Sequence, residues 1–159
     1  GFNKWNSNLI WFDNRGLWRT TNYYYMKLFS KAGNRAFAAS NVMNGDQIDE
    51  NVYVSPTIDT ESGEIYLKLV NSEAVEKSLE INLDNRNIYK VLMEYISSED
   101  TTVKNQGAQN YYSSYPGIVN FNYNETITPQ SVGFGPVKKN FNISIPGNSV
   151  CVIKLIPEE

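Results

Sequence analysis

The sequence predicts a mostly β chain, an antiparallel β-sandwich of jelly-roll-like character preceded by one strand–helix unit. Three observations carry this. Apolar and polar residues alternate over most of the chain after Gly33, turn residues interrupt the alternation at short intervals, and helical spacing occurs only before Gly33.

The elements follow in order. Leu9, Ile10, Trp11 and Phe12 make a short continuous apolar run, which reads as a strand buried on both faces. Asp13, Asn14, Arg15 and Gly16 end it as a polar loop. Thr20 has the hydroxyl of a helix N-cap, and Gly33 stands where a left-handed C-cap is wanted. Between them Tyr25, Leu28, Phe29 and Ala32 recur at i, i+3, i+4 and i+7, one apolar stripe of a helix.

After Gly33 the period changes to two. Residues 36–43 and 52–60 read as strands. Ile65, Leu67 and Leu69 alternate with Tyr66 and Lys68 after a Ser62-Gly63 turn. Leu79, Ile81 and Leu83 repeat the pattern, as do Val91, Met93 and Tyr95, and Phe141, Ile143 and Ile145. Pro146-Gly147-Asn148 is a turn. The closing stretch "SVCVIKLI" is almost wholly apolar, which predicts a central strand between two packed layers. Short strands joined by turns at this spacing indicate a sandwich. Residues 98–137 break the rhythm. They are rich in Asn, Gln, Gly, Ser and Tyr and read as a long surface loop with one or two short strands, around Ile118 to Tyr123.

Composition narrows the chemistry. The chain has 159 residues, enough for one domain or a domain plus a short attachment. Its net charge of −3, with no long charged run, argues against nucleic acid or a membrane surface as partner. No apolar run reaches the ~20 residues of a membrane span. Cys151 is the single cysteine and histidine is absent. The chain therefore holds no internal disulfide, no Ser-His-Asp or Cys-His site and no imidazole-ligated metal. No metal and no cofactor is expected. Gly1 in place of Met reads as the start of a piece cut from a longer polypeptide.

Carboxylates remain as catalytic groups, and a glycosidase pair needs two of them facing one cleft. Most acids here fall in turns or on solvent-facing strand positions. Asp13 differs because it follows an apolar strand directly; a site residue at a strand end and a loop-start hydrogen-bonder both fit, the second more simply. Cys151 alternates within an apolar strand and reads as a small buried hydrophobe. Asn124-Glu125-Thr126 and Asn142-Ile143-Ser144 match the glycosylation triplet, but an Asn-rich chain produces two such matches by chance. Tyr111, Tyr112, Tyr115, Phe121 and Tyr123 form an aromatic cluster of the kind that stacks on sugar rings or covers a sheet edge; Tyr111, Tyr112 and Tyr115 are the candidate stacking residues.

At "NLIWFDN…WRTTNYYYMKLFSKAG" the chain resembles the last strand and helix of the catalytic barrel in family 51 α-L-arabinofuranosidases. The match is carried by Leu9, Ile10, Trp11, Phe12 and Asp13, then Thr20, Asn22, Tyr23, Tyr24, Lys27, Leu28, Phe29 and Ser30; Thr21 stands where the family usually has proline. "ENVYVSPTIDTESGEIYLKLVN", "NETITPQ" and "FNISIPGNSVCVIKL" are similar, in that order, to segments of the family's C-terminal sandwich. The resemblance implies a (β/α)8 barrel remnant over residues 1–33 and a sandwich over 34–159, with the Tyr-rich insertion at 98–137. It implies a retaining parent enzyme that releases terminal arabinofuranose from arabinan and arabinoxylan without metal. Both family glutamates would lie upstream of Gly1, so no catalytic residue is expected here and the chain alone should be inactive. Asp13 and Asn14 would then sit at the barrel mouth, within reach of the arabinose ring.

The implied partners are the upstream barrel of the same polypeptide, an arabinose-containing polysaccharide through the parent enzyme, and further subunits of a homo-oligomer. A polysaccharide-degrading parent implies a periplasmic or secreted location. The primary expectation is a non-catalytic domain that stabilises the barrel and its assembly. The alternative is an independent carbohydrate-binding module built on the tyrosine cluster.

Overall fold

An apolar run without alternation needs burial on both faces, and the closing strand obtains it. A computed structural model describes residues 9–13, 16–37, 43–44, 47–83, 89–103, 105, 125–138 and 140–158. Its first elements are β1 (Ile10–Asp13), β2 (Gly16–Arg19) and the helix α1 (Thr21–Phe29). Short strands β3 (Arg35–Ala36), β4 (Met43–Asn44) and β5 (Gln47–Ile48) follow. The longer ones are β6 (Val52–Ile58), β7 (Ile65–Asn71), β8 (Lys77–Asn82), β9 (Tyr89–Ser97), β10 (Gln130–Val137), β11 (Asn140–Ile145) and β12 (Ser149–Pro157).

β12 pairs with β7 on one side and β9 on the other, inside an antiparallel sheet ordered β10-β9-β12-β7-β6-β3. β11 and β8 form a second, two-stranded antiparallel sheet. Ile143 and Ile145 of β11 and the half-buried Leu79 and Ile81 of β8 face the large sheet's Val91, Met93, Ile153 and Leu155. This is the sandwich core. Cys151 belongs to it and is fully buried; that desolvation pushes its thiol up to about 11.

The opposite face of the large sheet is covered by α1. Tyr24 and Leu28 pack on Val152, Ile96 and Ile127. Val152 therefore points at the helix while its neighbours Cys151 and Ile153 point into the sandwich. Three layers result, and β12 runs through the middle one. The fold class read from the sequence holds: mostly strands, all sheets antiparallel, one helix, and no closed barrel among the described residues.

Several local expectations change. The first strand is not buried on both faces, since Leu9 is 40% and Ile10 39% exposed. It pairs with β2, a strand that four residues, Gly16-Leu17-Trp18-Arg19, were too few to announce. Thr20 does cap α1: its hydroxyl accepts from the Tyr23 N–H at 3.3 Å. The buried line is Tyr24–Leu28, one turn apart, while Tyr25 and Phe29 are half-buried beside it and Ala32 is exposed. α1 also ends earlier than expected, at Phe29 with Ser30 as its cap.

Gly33 serves another purpose than capping. A Cβ there would lie 2.1 Å from the carbonyl carbon of Ile58 and 2.4 Å from the amide nitrogen of Asp59. The chain leaving the helix passes against the backbone of β6, and its Gly33 N–H donates to Thr57 Oγ1 at 2.9 Å. Within 98–137, the last eight residues are a true strand, β10, paired with β9 along the sheet edge. Ile118 to Tyr123, where a strand was expected, lie outside the described residues.

Candidate functional site

Asp13 closes β1 directly opposite Gly16 of β2, at the tip of the hairpin. Asn14, Tyr111, Tyr112 and Tyr115 lie outside the described residues, as do Phe121 and Tyr123. The best-defined polar centre is elsewhere, at the base of the same hairpin, where β2 turns into α1.

There the Glu125 carboxylate takes two donors. The Arg19 backbone N–H donates to Oε1 at 2.6 Å and the Tyr24 hydroxyl to Oε2 at 2.7 Å. The Arg19 guanidinium lies 3.6 Å from Oε2 and 5.8 Å from the Tyr23 ring centre. Burial pushes the Tyr24 phenol up, and donation to Glu125 acts in the same direction, because only the protonated phenol can donate.

Beside it, Asn105 is buried and fully engaged. Its backbone N–H donates to Thr21 Oγ1 at 3.0 Å. Its side-chain Nδ2 donates to the carbonyls of Ile127 at 2.7 Å and Arg19 at 3.3 Å, and its Oδ1 accepts from the Ile127 N–H at 2.7 Å. The carboxamide thus imitates a strand partner for Ile127 and satisfies backbone groups that would otherwise be stranded in an apolar setting.

The face of the large sheet beside α1 carries further charge pairs. Glu64 accepts from the Tyr66 hydroxyl at 2.7 Å and from Lys154 at 2.7 Å, while Lys31 reaches Glu94 from the segment after the helix. The Lys154 ammonium holds the Glu64 carboxyl below its usual range, with the Tyr66 hydroxyl adding to it. Elsewhere Lys77 joins Asp49 at 3.2 Å and Glu73 at 2.9 Å.

Chemically these groups are mutually neutralising. Glu125 is tied by a backbone donor, a phenol and a nearby guanidinium, an arrangement that holds a carboxylate in place rather than freeing it to move protons. Cys151 is walled off from solvent. Among the described residues, no group of three or more His, Cys, Asp or Glu is placed to hold a metal ion. No helix among them is long and apolar enough to cross a membrane. The node therefore positions one part of the chain on another.

Sequence reasoning left Glu125 and Asn105 aside. Their partners lie 84 to 106 positions away, apart from Ile127 at 22, so no local periodicity marks them. Gly16, read from the sequence as the end of a polar loop, instead opens β2 opposite Asp13.

The architecture defines the class: an antiparallel β-sandwich with a hairpin–helix extension sealed to its outer face. The α-L-arabinofuranosidase C-terminal domain family matches residues 1–149, and the chain belongs to that family. No curated protein matches the sequence. Among solved structures, the arabinose-bound MgGH51 α-L-arabinofuranosidase is similar at 21% identity and TM-score 0.74, over 98% of this chain and 22% of that one. The thermostable GH51 α-L-arabinofuranosidase of Thermotoga petrophila RKU-1 is similar at 15% identity and TM-score 0.65, over 92% of this chain and 31% of that one. A family 51 α-L-arabinofuranosidase from Bifidobacterium longum is similar at 17% and 0.63, over 92% and 28% respectively. At these identities the likeness is one of fold. The chain spans less than a third of the length of each of these proteins.

Proposed function

We propose that the chain is the non-catalytic C-terminal sandwich of an α-L-arabinofuranosidase, acting as a clamp on the end of a catalytic barrel in the same polypeptide. In this reading residues 1–33 are the barrel's last strand–helix unit and 34–159 the clamp. The observation that carries it is the seam. The hairpin and α1 are held to the sandwich by the Tyr24–Leu28 line, by Glu125 and by Asn105. Force or heat that loosens the barrel's last unit must then also strip a helix from the large sheet. The two sets of contacts stabilise each other.

The same reading assigns substrate, terminal arabinofuranose on arabinan or arabinoxylan, to the upstream barrel, with Asp13 and Asn14 near its mouth. Assembly of subunits through the sandwich belongs to this proposal as well. Two experiments test it. The purified chain, incubated with an aryl α-L-arabinofuranoside, should show no turnover; activity that survives repurification and disappears when a carboxylate of this chain is replaced overturns the non-catalytic assignment. In the full-length polypeptide, Leu28→Ala should shorten the half-life of arabinofuranosidase activity at elevated temperature while leaving its initial rate unchanged. An unchanged half-life overturns the clamp.

A further inference from the structure

We propose that Asn142 is an acceptor for an N-linked glycan, carried on the outer face of the β8–β11 sheet. The triplet Asn142-Ile143-Ser144 by itself is a chance-level signal in a chain so rich in asparagine. The structure adds what the triplet lacks. Along β11 the side chains alternate: Ile143 and Ile145 are buried in the core, while Asn140, Asn142 and Ser144 are exposed. Asn142 and Ser144 therefore share the solvent face, the amide and hydroxyl that the modification reads. No hydrogen bond or ion pair to another described residue occupies the Asn142 side chain.

The surroundings fit a glycan equally well. In register with these residues, Asn140 faces Asn82, Asn142 faces Glu80 and Ser144 faces Ser78, all exposed and polar. A hydrated oligosaccharide over this face removes no apolar contact and unpairs no buried group. Each strand of the two-stranded sheet also has an edge that pairs with no described strand. Open edges recruit other chains, and a bulky hydrophilic group beside them opposes that pairing.

The transfer balances without redox change. Asn142 Nδ2 forms a bond to C1 of the first sugar of a polyprenyl-pyrophosphate-linked oligosaccharide. The C1–oxygen bond to the pyrophosphate breaks, the polyprenyl pyrophosphate leaves with the electron pair, and the amide gives up one proton to a base.

The test is expression of the chain behind a secretory leader in a glycosylating eukaryotic host, followed by tryptic mapping of both secreted and cell-retained protein. The segment 140–154 should appear as glycopeptide. Enzymatic release in heavy-oxygen water should convert Asn142 to a labelled aspartate. Asn142→Gln and Ser144→Ala should each abolish the modification, with circular dichroism and melting temperature of the glycan-free variants unchanged. Glycan at Asn124 appears in a different peptide and does not confuse the readout. Finding 140–154 wholly unmodified in both fractions overturns the proposal, as does modification that persists in Ser144→Ala.

Discussion

Tyr24 and Glu125, 101 positions apart in sequence, meet in a 2.7 Å hydrogen bond that fastens the helix to the segment just before β10. The carboxylate simultaneously accepts from the Arg19 backbone, so removing it strands two donors in a half-buried setting. Glu125→Ala should cost about 2 kcal/mol, and Tyr24→Phe about 1 kcal/mol, because charge-assisted bonds exceed neutral ones. Urea denaturation of both single variants and the double variant measures this. The expected result is a non-additive cycle, with the double variant less destabilised than the sum; strict additivity means that the two residues do not act together.

Gly33→Ala separates two roles that a glycine after a helix can have. In a left-handed cap the substitution costs ~1 kcal/mol. Here the new methyl meets the backbone of Ile58 and Asp59, which cannot rotate aside, and a cost of about 3 kcal/mol is expected. Gly63, whose φ is +72° and whose nearest obstacle is a proline side-chain carbon at 3.4 Å, provides the comparison. Gly63→Ala should be the milder change. The reverse order of melting temperatures contradicts the close-approach argument.

Acid and alkaline limits of stability should have different owners. The Glu64 carboxyl lies below its ordinary 4.5, so its contribution is complete above that value and is lost as pH falls through the folded-state pKa. Asp59, held down by the Ser62 and Glu61 backbone N–H groups, behaves in the same way below 3.8. Lys154 is shifted upward by Glu64, and Tyr66 and Tyr24 upward by burial; their contributions are complete below about 10 and vanish as pH rises further. A stability profile from chemical denaturation should therefore be flat between roughly pH 5 and 9.5 and fall on both sides. Glu64→Gln should shallow the acid limb, and an acid limb identical to that of the parent chain excludes Glu64 as a contributor.

Cys151 should ignore thiol reagents in the folded chain. Its pKa of about 11 leaves little thiolate at neutral pH, and complete burial blocks access. Labelling by a disulfide reagent should proceed at the rate of global unfolding and accelerate in urea along the unfolding transition. Rapid stoichiometric labelling of the native chain would show that the core opens locally around β12.

How much of this was legible depends on where each residue's constraint comes from. β12 could be read because residues on both of its faces are buried, Cys151, Ile153 and Leu155 in the sandwich and Val152 against the helix, so the apolar demand falls on successive positions. β8 and β11 could be read because one face is wet and the other dry. The helix cap at Thr20 is a local interaction and was visible as such. The helix face was not, because Tyr23, Tyr24 and Tyr25 spread over about 200° of the helix and supply an apolar stripe in several directions. β10 hid behind Gly133, Gly135 and Pro136, residues that a sheet interior rejects but an edge accepts. Glu125 and Asn105 answer to partners that only the folded chain brings near. Of the candidate sugar contacts, only Asp13 has its backbone among the described residues, at the end of β1.

The reciprocal pair of hydrogen bonds between Asn105 and Ile127 has an evolutionary consequence. It pins two points of the chain side by side, and the length of polypeptide between two pinned points enters stability only logarithmically. Doubling that length costs ~0.6 kcal/mol. Insertions and deletions between residues 106 and 124 therefore add little chain-closure cost, provided that Asn105, Glu125 and Ile127 stay in place. Sequence drift in this family should accordingly show up as changes of length at this point, while the residues of the staple are retained.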